Sequence, residues 1–253
     1  MSETATSLVI LALMLVGVGI GLALRTALPG HHLSEDSKGT VTLVAGLVAT
    51  LTALVLGLLV SAAEVSFETE RSALNQIAAQ IIVLDRMMAA YGPEAKVARE
   101  RLRSSVLLRI DLIWPADGWR PAKAAFTSDT AFESVQAALR DLPPGTDVQK
   151  GLRTQALDTA DRLAQARWLF LVQGEESAIP VLFMVALGLW LTAIFTSFSL
   201  FAPRHATTVA ALFVGAASVT GAVFLILELG SPYGGAIRLS PEPMRIALEH
   251  LGR

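Results

Sequence analysis

Four apolar runs alternate with polar sequence along this chain. The runs cover residues 8–24, 41–63, 178–202 and 206–229. An α-helix rises about 1.5 Å per residue, so a run of this length can cross a hydrocarbon core of roughly 30 Å. The pattern therefore predicts four transmembrane helices.

The second apolar run leads directly into charged sequence. No Pro or Gly separates residues 41–63 from residues 67–91, and Glu64 is the first charge after the apolar run. The simplest structure is one long helix that starts in lipid and continues into water. Apolar residues then recur at helical spacing, which predicts one stripe that faces a core: Leu74, Ile77, Ile81, Leu84 and Met88.

The polar region between the second and third runs predicts further helices. Residues 94–113 restart a helix after Gly92–Pro93, and two more helices are expected, one ending at Arg140 and one running to about Gln173. Three basic residues of the first of these helices are expected on its outer face, in water or against lipid headgroups: Arg99, Arg101 and Arg103.

The predicted fold class is an all-α membrane protein. Four transmembrane helices are combined with a cytosolic helical domain that continues from the second span. The expected divisions are residues 1–64 for the first two spans, 65–177 for the cytosolic domain, 178–229 for spans three and four, and 230–253 for a cytosolic tail.

Small residues indicate which surfaces of the spans pack together. Gly17 and Gly21 are four residues apart in the first run, a spacing that lets two helices approach closely in lipid. Residues 203–205 make a short break between the third and fourth runs, so these two spans are expected to form a tight antiparallel pair.

Composition narrows the possible functions. Hydrophobic residues make up 53% of the chain and charged residues only 17%, below the roughly 25% of soluble domains. The net charge of −2 argues against a nucleic-acid partner. The chain has no Cys, which excludes disulfides, thiolate metal sites and Cys nucleophiles. No nucleophile motif, phosphate loop or set of metal ligands is visible, so no catalytic residue, cofactor or metal is expected, and His31–His32 is assigned to a solvated loop.

Hydroxyl, small and acidic side chains follow one face of the second helix. This face is either a packing surface, with Thr and Ser bonded to their own backbone, or the wall of a pore. In a pore, the two leucines would form a constriction and the two acids a charged ring below it. The candidate pore-lining residues are Thr50, Leu54, Gly57, Leu58, Ser61, Glu64 and Glu68.

A further acid lies near the end of the fourth run. Glu228 is a candidate for interaction with ions. A charged side chain at membrane depth is energetically costly, so an acid at this position is a functional candidate by default. The alternative is an interfacial carboxylate bonded to an arginine or to backbone amides of the turn that follows it.

The distribution of basic residues predicts the orientation. Of the 20 Lys and Arg, only Arg25, Lys38 and Arg204 lie in the short connections between spans. The positive-inside rule therefore places both termini and the helical domain in the cytoplasm. The lipid bilayer of a bacterial inner membrane is the expected location.

The layout resembles the bestrophin architecture, and more specifically the bacterial bestrophin-like family of unknown function, DUF4239. The stretches that carry the resemblance are LVLGLLVSAAEVSFETERSALNQIAAQIIVLDRMM, LLRIDLIWP and LELGSPYGGAIRLSPEPM. In the last stretch, seven residues fit the family's acid-Leu and Pro-aromatic-x-Gly pattern and the Ser-x-x-Pro that follows, namely Glu228, Leu229, Pro232, Tyr233, Gly235, Ser240 and Pro243. Gly230 stands where a second acid is common.

The resemblance implies a homo-oligomer around a central ion pathway, with five copies. Two functions are consistent with the residues. The first is an ion channel lined by the second span, in which Glu64 and Glu68 attract cations. The second is a non-conducting, membrane-anchored interaction or sensor protein, whose soluble helices bind a partner.

Overall fold

The computed structural model describes residues 3–29, 34–115, 130–173, 181–203, 205–232 and 235–252. These residues contain α-helices and no β-strand. In chain order the helices are α1 Glu3–Ala27, α2 Glu35–Tyr91, α3 Lys96–Ile113, α4 Thr130–Arg140, α5 Asp147–Gln173, α6 Val181–Phe201, α7 Ala206–Leu229 and α8 Glu242–His250. A 3₁₀ turn, Pro93–Ala95, leads into α3.

Four helices are long and apolar enough to cross a membrane: α1, α2, α6 and α7. The prediction of an all-α protein with four transmembrane helices is confirmed. Helix α2 is continuous over 57 residues, which corresponds to about 85 Å at the usual rise. The predicted uninterrupted helix across Glu64 is therefore present. The chain divides into two compact units, residues 1–66 with 177–230 and residues 67–176 with 231–253, and α2 contributes to both.

Helix α1 is the central helix of the first unit. Its backbone approaches α6 and α7 closely, and buried Ile10 and Met14 join one core with residues of both helices. The expectation that spans three and four form a tight pair is wrong, because α6 and α7 each approach α1 more closely than they approach each other. Small residues of α1 allow this arrangement.

The glycines of α1 form a close-packing face, as predicted, and this face contacts α6. A Cβ added at Gly17 would lie 2.7 Å from the Thr192 carbonyl oxygen, and one added at Gly21 would overlap the Ser199 hydroxyl and the Thr196 carbonyl. The α6 hydroxyls in this contact donate to carbonyls of their own helix, Thr192 Oγ1 to Gly188 at 2.7 Å. The two backbones therefore pack directly, with the polar groups satisfied inside α6.

The second unit is a helical domain with a core of its own. The predicted stripe of α2 is buried in this core from Leu74 to Met88. On α3, Leu102, Val106 and Ile110 are buried, whereas Val97 and Leu107, which also fit the helical period, are exposed. Helices α4 and α8 close the core with Phe132, Val135, Leu139, Met244 and Ala247.

The segment after α7 belongs to this domain. Trp114 Nε1 donates to the Leu239 carbonyl at 2.9 Å, and the Leu239 amide donates to the Pro232 carbonyl at 2.9 Å. Leu239 and Leu251 are buried in the same core as Leu102. The end of the chain therefore packs against the helices that precede the third span.

An ion pair inside the domain departs from the expected pattern. Asp85 is 1% exposed, and Arg99 donates to its two oxygens from Nε and Nη2, both at 2.8 Å. The hydrogen bond to Asp85 raises the pKa of Arg99 above its ordinary value. Arg99 was expected to point outward, but its side chain is drawn inward because a buried carboxylate needs a bonded cation.

Candidate pore-lining face of the second helix

Helix α2 is the most open of the four spans. Only 11% of its most apolar window is buried inside the chain, compared with 28% for α1 and 33% for α6. The buried positions of its membrane half, Ala45, Thr52 and Ala63, share one face at helical spacing. The remaining surface of this half is open to lipid or to other copies of the chain.

All seven predicted pore-lining residues lie on the open side of α2. Each of them, from Thr50 to Glu68, is exposed. At about 100° of rotation per residue, they cluster opposite the buried face. The helix thus brings the seven positions together on one side, as the spacing predicts; a role in lining a pore stays a prediction.

The open side of α2 divides into two strips of different chemistry. In one strip, the positions recur every eleven residues. Eleven residues make about three helical turns, so these residues stay on one line along the helix. All of its residues are exposed, and its apolar residues are no larger than valine. This α2 strip consists of Gly46, Thr50, Ala53, Gly57, Ser61, Glu64, Glu68, Ser72, Asn75, Ala79, Val83, Arg86 and Ala90.

The neighbouring strip is made of large apolar side chains, among them Leu43, Leu47, Leu54 and Leu58. Leu54 and Leu58 are 61% and 63% exposed. They lie about 60° and 100° around the helix from the centre of the α2 strip. Leu54 is thus the nearer of the two to the polar line, and Leu58 is the more suited to lipid or to a neighbouring helix.

The two acids of the α2 strip differ in their surroundings. Among the described residues, the Glu64 carboxylate has no hydrogen bond or ion pair. Glu68 accepts from Arg71 Nη1 at 3.5 Å, and both side chains are more than half exposed. Arg71 therefore offsets the field of Glu68, and Glu64 supplies the uncompensated negative charge.

The hydroxyls of the strip also differ. Thr50 Oγ1 donates to the Gly46 carbonyl at 3.0 Å, which satisfies its hydrogen within the helix and leaves its oxygen able to accept. Ser61 has no hydrogen bond to any described residue. Its hydroxyl is available to water.

Glu228 lies apart from the α2 strip. It is 3% exposed near the end of α7, and its neighbours Ile226 and Leu229 pack with Ala63 on the buried face of α2. Glu228 is therefore buried within the chain, unlike the exposed acids of the α2 strip. Tyr233, one of the motif residues that follow it, lies outside the described residues, as do His31 and His32.

No metal site is formed by the described part of the chain, where no three His, Asp or Glu side chains come together.

Five of the seven predicted residues belong to the α2 strip, whereas Leu54 and Leu58 belong to the neighbouring apolar strip. The continuation of the α2 strip beyond Glu68 was not predicted. The eleven-residue spacing from Gly46 to Glu68 continues to Ala90, but the buried stripe of residues 74–88 dominated the pattern there. The available signal was the absence of large apolar residues at these positions.

These features define an all-helical membrane protein in which one long helix presents a polar line outside the single chain. A family profile for the Bestrophin-like domain matches residues 11–244. The chain belongs to the bestrophin-like family.

Solved structures support the same fold. The chain is similar to a bacterial bestrophin homologue from Klebsiella pneumoniae, a tryptophan-to-alanine variant, with a TM-score of 0.67 and 16% identity over 99% of this chain and 97% of that one. A leucine-to-threonine variant of a bestrophin homologue from the same organism matches with a TM-score of 0.63 and 17% identity over 100% of both chains. Comparison with functionally curated proteins finds no match.

Proposed function

We propose that this chain is a homo-oligomeric ion channel of the bacterial inner membrane, with its pore lined by the α2 strip. Five copies, the number that the bestrophin resemblance implies, would surround a central axis. The termini and the helical domain lie in the cytoplasm, as the distribution of Lys and Arg favours.

The observation that carries the proposal is the chemistry of the exposed α2 strip. A helix surface in contact with lipid alone is expected to be large and apolar, as the neighbouring leucine strip is. Small, hydroxyl and acidic residues on an exposed membrane face are instead typical of a helix that meets other helices or water. One chain cannot enclose this face, whereas a ring of copies about a symmetry axis can.

A preference for cations follows from Glu64. A ring of uncompensated carboxylates at the inner end of the span makes the local potential negative, which raises the concentration of cations and lowers that of anions. Glu228, which is buried within the chain, would influence ions only through its field or by holding the end of α7 in place.

The lining is tested with single cysteines, for which the chain offers a clean background because it has no native Cys. We expect Ser61→Cys channels in planar bilayers to lose most of their current on addition of a charged, water-soluble thiosulfonate reagent. Ala62→Cys, one residue around the helix, is the matched control and should keep its current. Absence of conductance from the unmodified protein, or equal block of both variants, would leave only the membrane-anchored interaction protein.

The charge assignment is tested by neutralising Glu64. We expect Glu64→Gln to lower the ratio of cation to anion permeability by roughly tenfold at low salt, because the pore loses one charge per copy. Reversal potentials in asymmetric KCl measure this ratio. Glu64→Asp should retain the preference, and the difference should shrink in 1 M salt, where the Debye length is about 3 Å. Glu68→Gln/Arg71→Gln removes both members of an ion pair and should change little; a shift as large as that of Glu64→Gln would contradict the assignment.

A further inference from the structure

The helical domain contains a second charged surface that the channel proposal does not use. The end of α2, the turn at Gly92–Pro93, the first two turns of α3 and Gly252 enclose a cleft of about 480 Å³. This volume lies within the range of roughly 300–1,000 Å³ found for small-molecule sites.

One wall of the cleft is a face of α3 that carries three cations. Lys96, Arg99 and Arg103 are three and four residues apart, a spacing that aligns them along one side of a helix. The line from Lys96 to Arg103 covers about 10 Å of helix axis. Glu100 is the one acid among the residues that line the cleft.

Two of these cations have no partner within the described part of the chain. Neither Lys96 nor Arg103 makes a side-chain hydrogen bond or ion pair to a described residue. Several exposed basic side chains elsewhere in the domain are engaged: Arg101 donates to the Ser134 carbonyl, Arg153 to the Arg140 carbonyl, and Lys150 to Asp147. Lys96 and Arg103 thus line the cleft with positive charges that no described residue neutralises.

The third cation is held rigidly between them. Arg99 is fixed by its two bonds to buried Asp85, and the Gly252 amide approaches the same carboxylate at 3.4 Å. Arg99 and Gly252 line the cleft and are thus both tied to Asp85 beneath it, which leaves Arg99 little side-chain freedom to lose when a ligand binds. The start of α3 has no side-chain cap, so the positive end of the helix dipole adds to the field there.

We propose that this cleft binds a small phosphate-bearing anion through Lys96 and Arg103, with Arg99, fixed by Asp85, between them. The line of cations matches a chain of two or three phosphates better than a single one, because Lys96 and Arg103 are separated by two turns of helix. Two kinds of ligand carry such phosphate groups: a soluble polyphosphate compound and the headgroup of an anionic lipid.

Calorimetric titration of the full-length protein in detergent, at constant ionic strength, tests the site with inorganic tripolyphosphate as the probe. We expect saturable binding to the unmodified protein. In Lys96→Gln/Arg103→Gln, affinity should fall by about tenfold or more, since each lost charge-assisted bond contributes on the order of 1 kcal/mol. Lys96→Arg/Arg103→Lys keeps both charges and should retain binding, which separates loss of charge from misfolding.

The matched control is Arg140→Gln/Arg162→Gln, which makes the same change in net charge at exposed arginines that do not line the cleft. Equal affinity in all variants would mean general attraction of counterions and would overturn the proposal, as would absence of binding to the unmodified protein. A second titration adds phosphatidylglycerol or phosphatidylcholine to the micelles. A response to phosphatidylglycerol alone that depends on Lys96 and Arg103 supports the site with a lipid headgroup as its source. Binding is measured without current, so the outcome is independent of conduction.

Discussion

Gly21→Ala is expected to reduce the yield of folded, monodisperse protein sharply. The added methyl group would overlap the Thr196 carbonyl and the Ser199 hydroxyl of α6, and backbone cannot move aside as a flexible side chain can. Forcing α1 and α6 apart also opens the core that Met14 shares with both partner helices. Overpacking of this kind costs about 3 kcal/mol.

Gly19 of the same helix provides the control. A Cβ at Gly19 has nothing within 4 Å, so Gly19→Ala should be neutral or slightly stabilising through its helix propensity. Thermal unfolding of both variants in detergent, followed by size-exclusion chromatography, measures the difference. Equal melting temperatures for the two variants would show that α1 and α6 do not pack through Gly21.

Arg99→Leu is expected to destabilise the helical domain by about 3–5 kcal/mol, because it leaves the Asp85 carboxylate buried without its cation. Asp85→Leu should cost less, since the Arg99 side chain is 22% exposed and can turn toward water. The double variant Asp85→Leu/Arg99→Leu should recover most of the stability lost in Arg99→Leu. Replacing both members of a buried ion pair by apolar side chains of similar volume is often neutral or stabilising.

The melting temperatures of the three variants and the unmodified protein form a double-mutant cycle. A coupling free energy near zero would mean that the two side chains act independently and that the observed ion pair contributes no stability. Lys150→Leu removes an exposed i, i+3 pair with Asp147 and serves as the reference for a surface interaction, for which about 0.5 kcal/mol or less is expected.

The long second helix could be predicted from the sequence because its determinants are local. An apolar run long enough for a membrane, no helix breaker around Glu64 and a regular stripe from Leu74 to Met88 all concern neighbours along one helix. The same holds for Gly17 and Gly21, whose spacing identified the packing face of α1.

The partner of that face could not be predicted. Because α6 and α7 are neighbours in sequence, they were expected to pair. The absence of side chains at Gly17 and Gly21 instead lets α1 approach α6 more closely than α7 approaches α6. Which helices meet depends on the fit of surfaces that are distant in sequence, and apolar patterning does not encode that fit.

The Asp85–Arg99 pair was missed for a different reason. Asp85 falls on the same buried stripe as Ile81, Leu84 and Met88, so its position already indicated a carboxylate that needs a partner inside the domain. The α3 helix offers three arginines within five residues, and only the three-dimensional fold selects Arg99. The proposed pore, in turn, would require other copies of the chain, which a single sequence does not describe.

The packing of Leu239, Met244 and Leu251 into the helical domain has a consequence for synthesis. Residues 67–176 are synthesised before α6 and α7, whereas Leu239, Met244 and Leu251 are synthesised after them. Part of the apolar interior of this domain therefore stays uncovered while α6 and α7 are synthesised and inserted into the membrane. The core of the helical domain is therefore completed only after α6 and α7 have been synthesised.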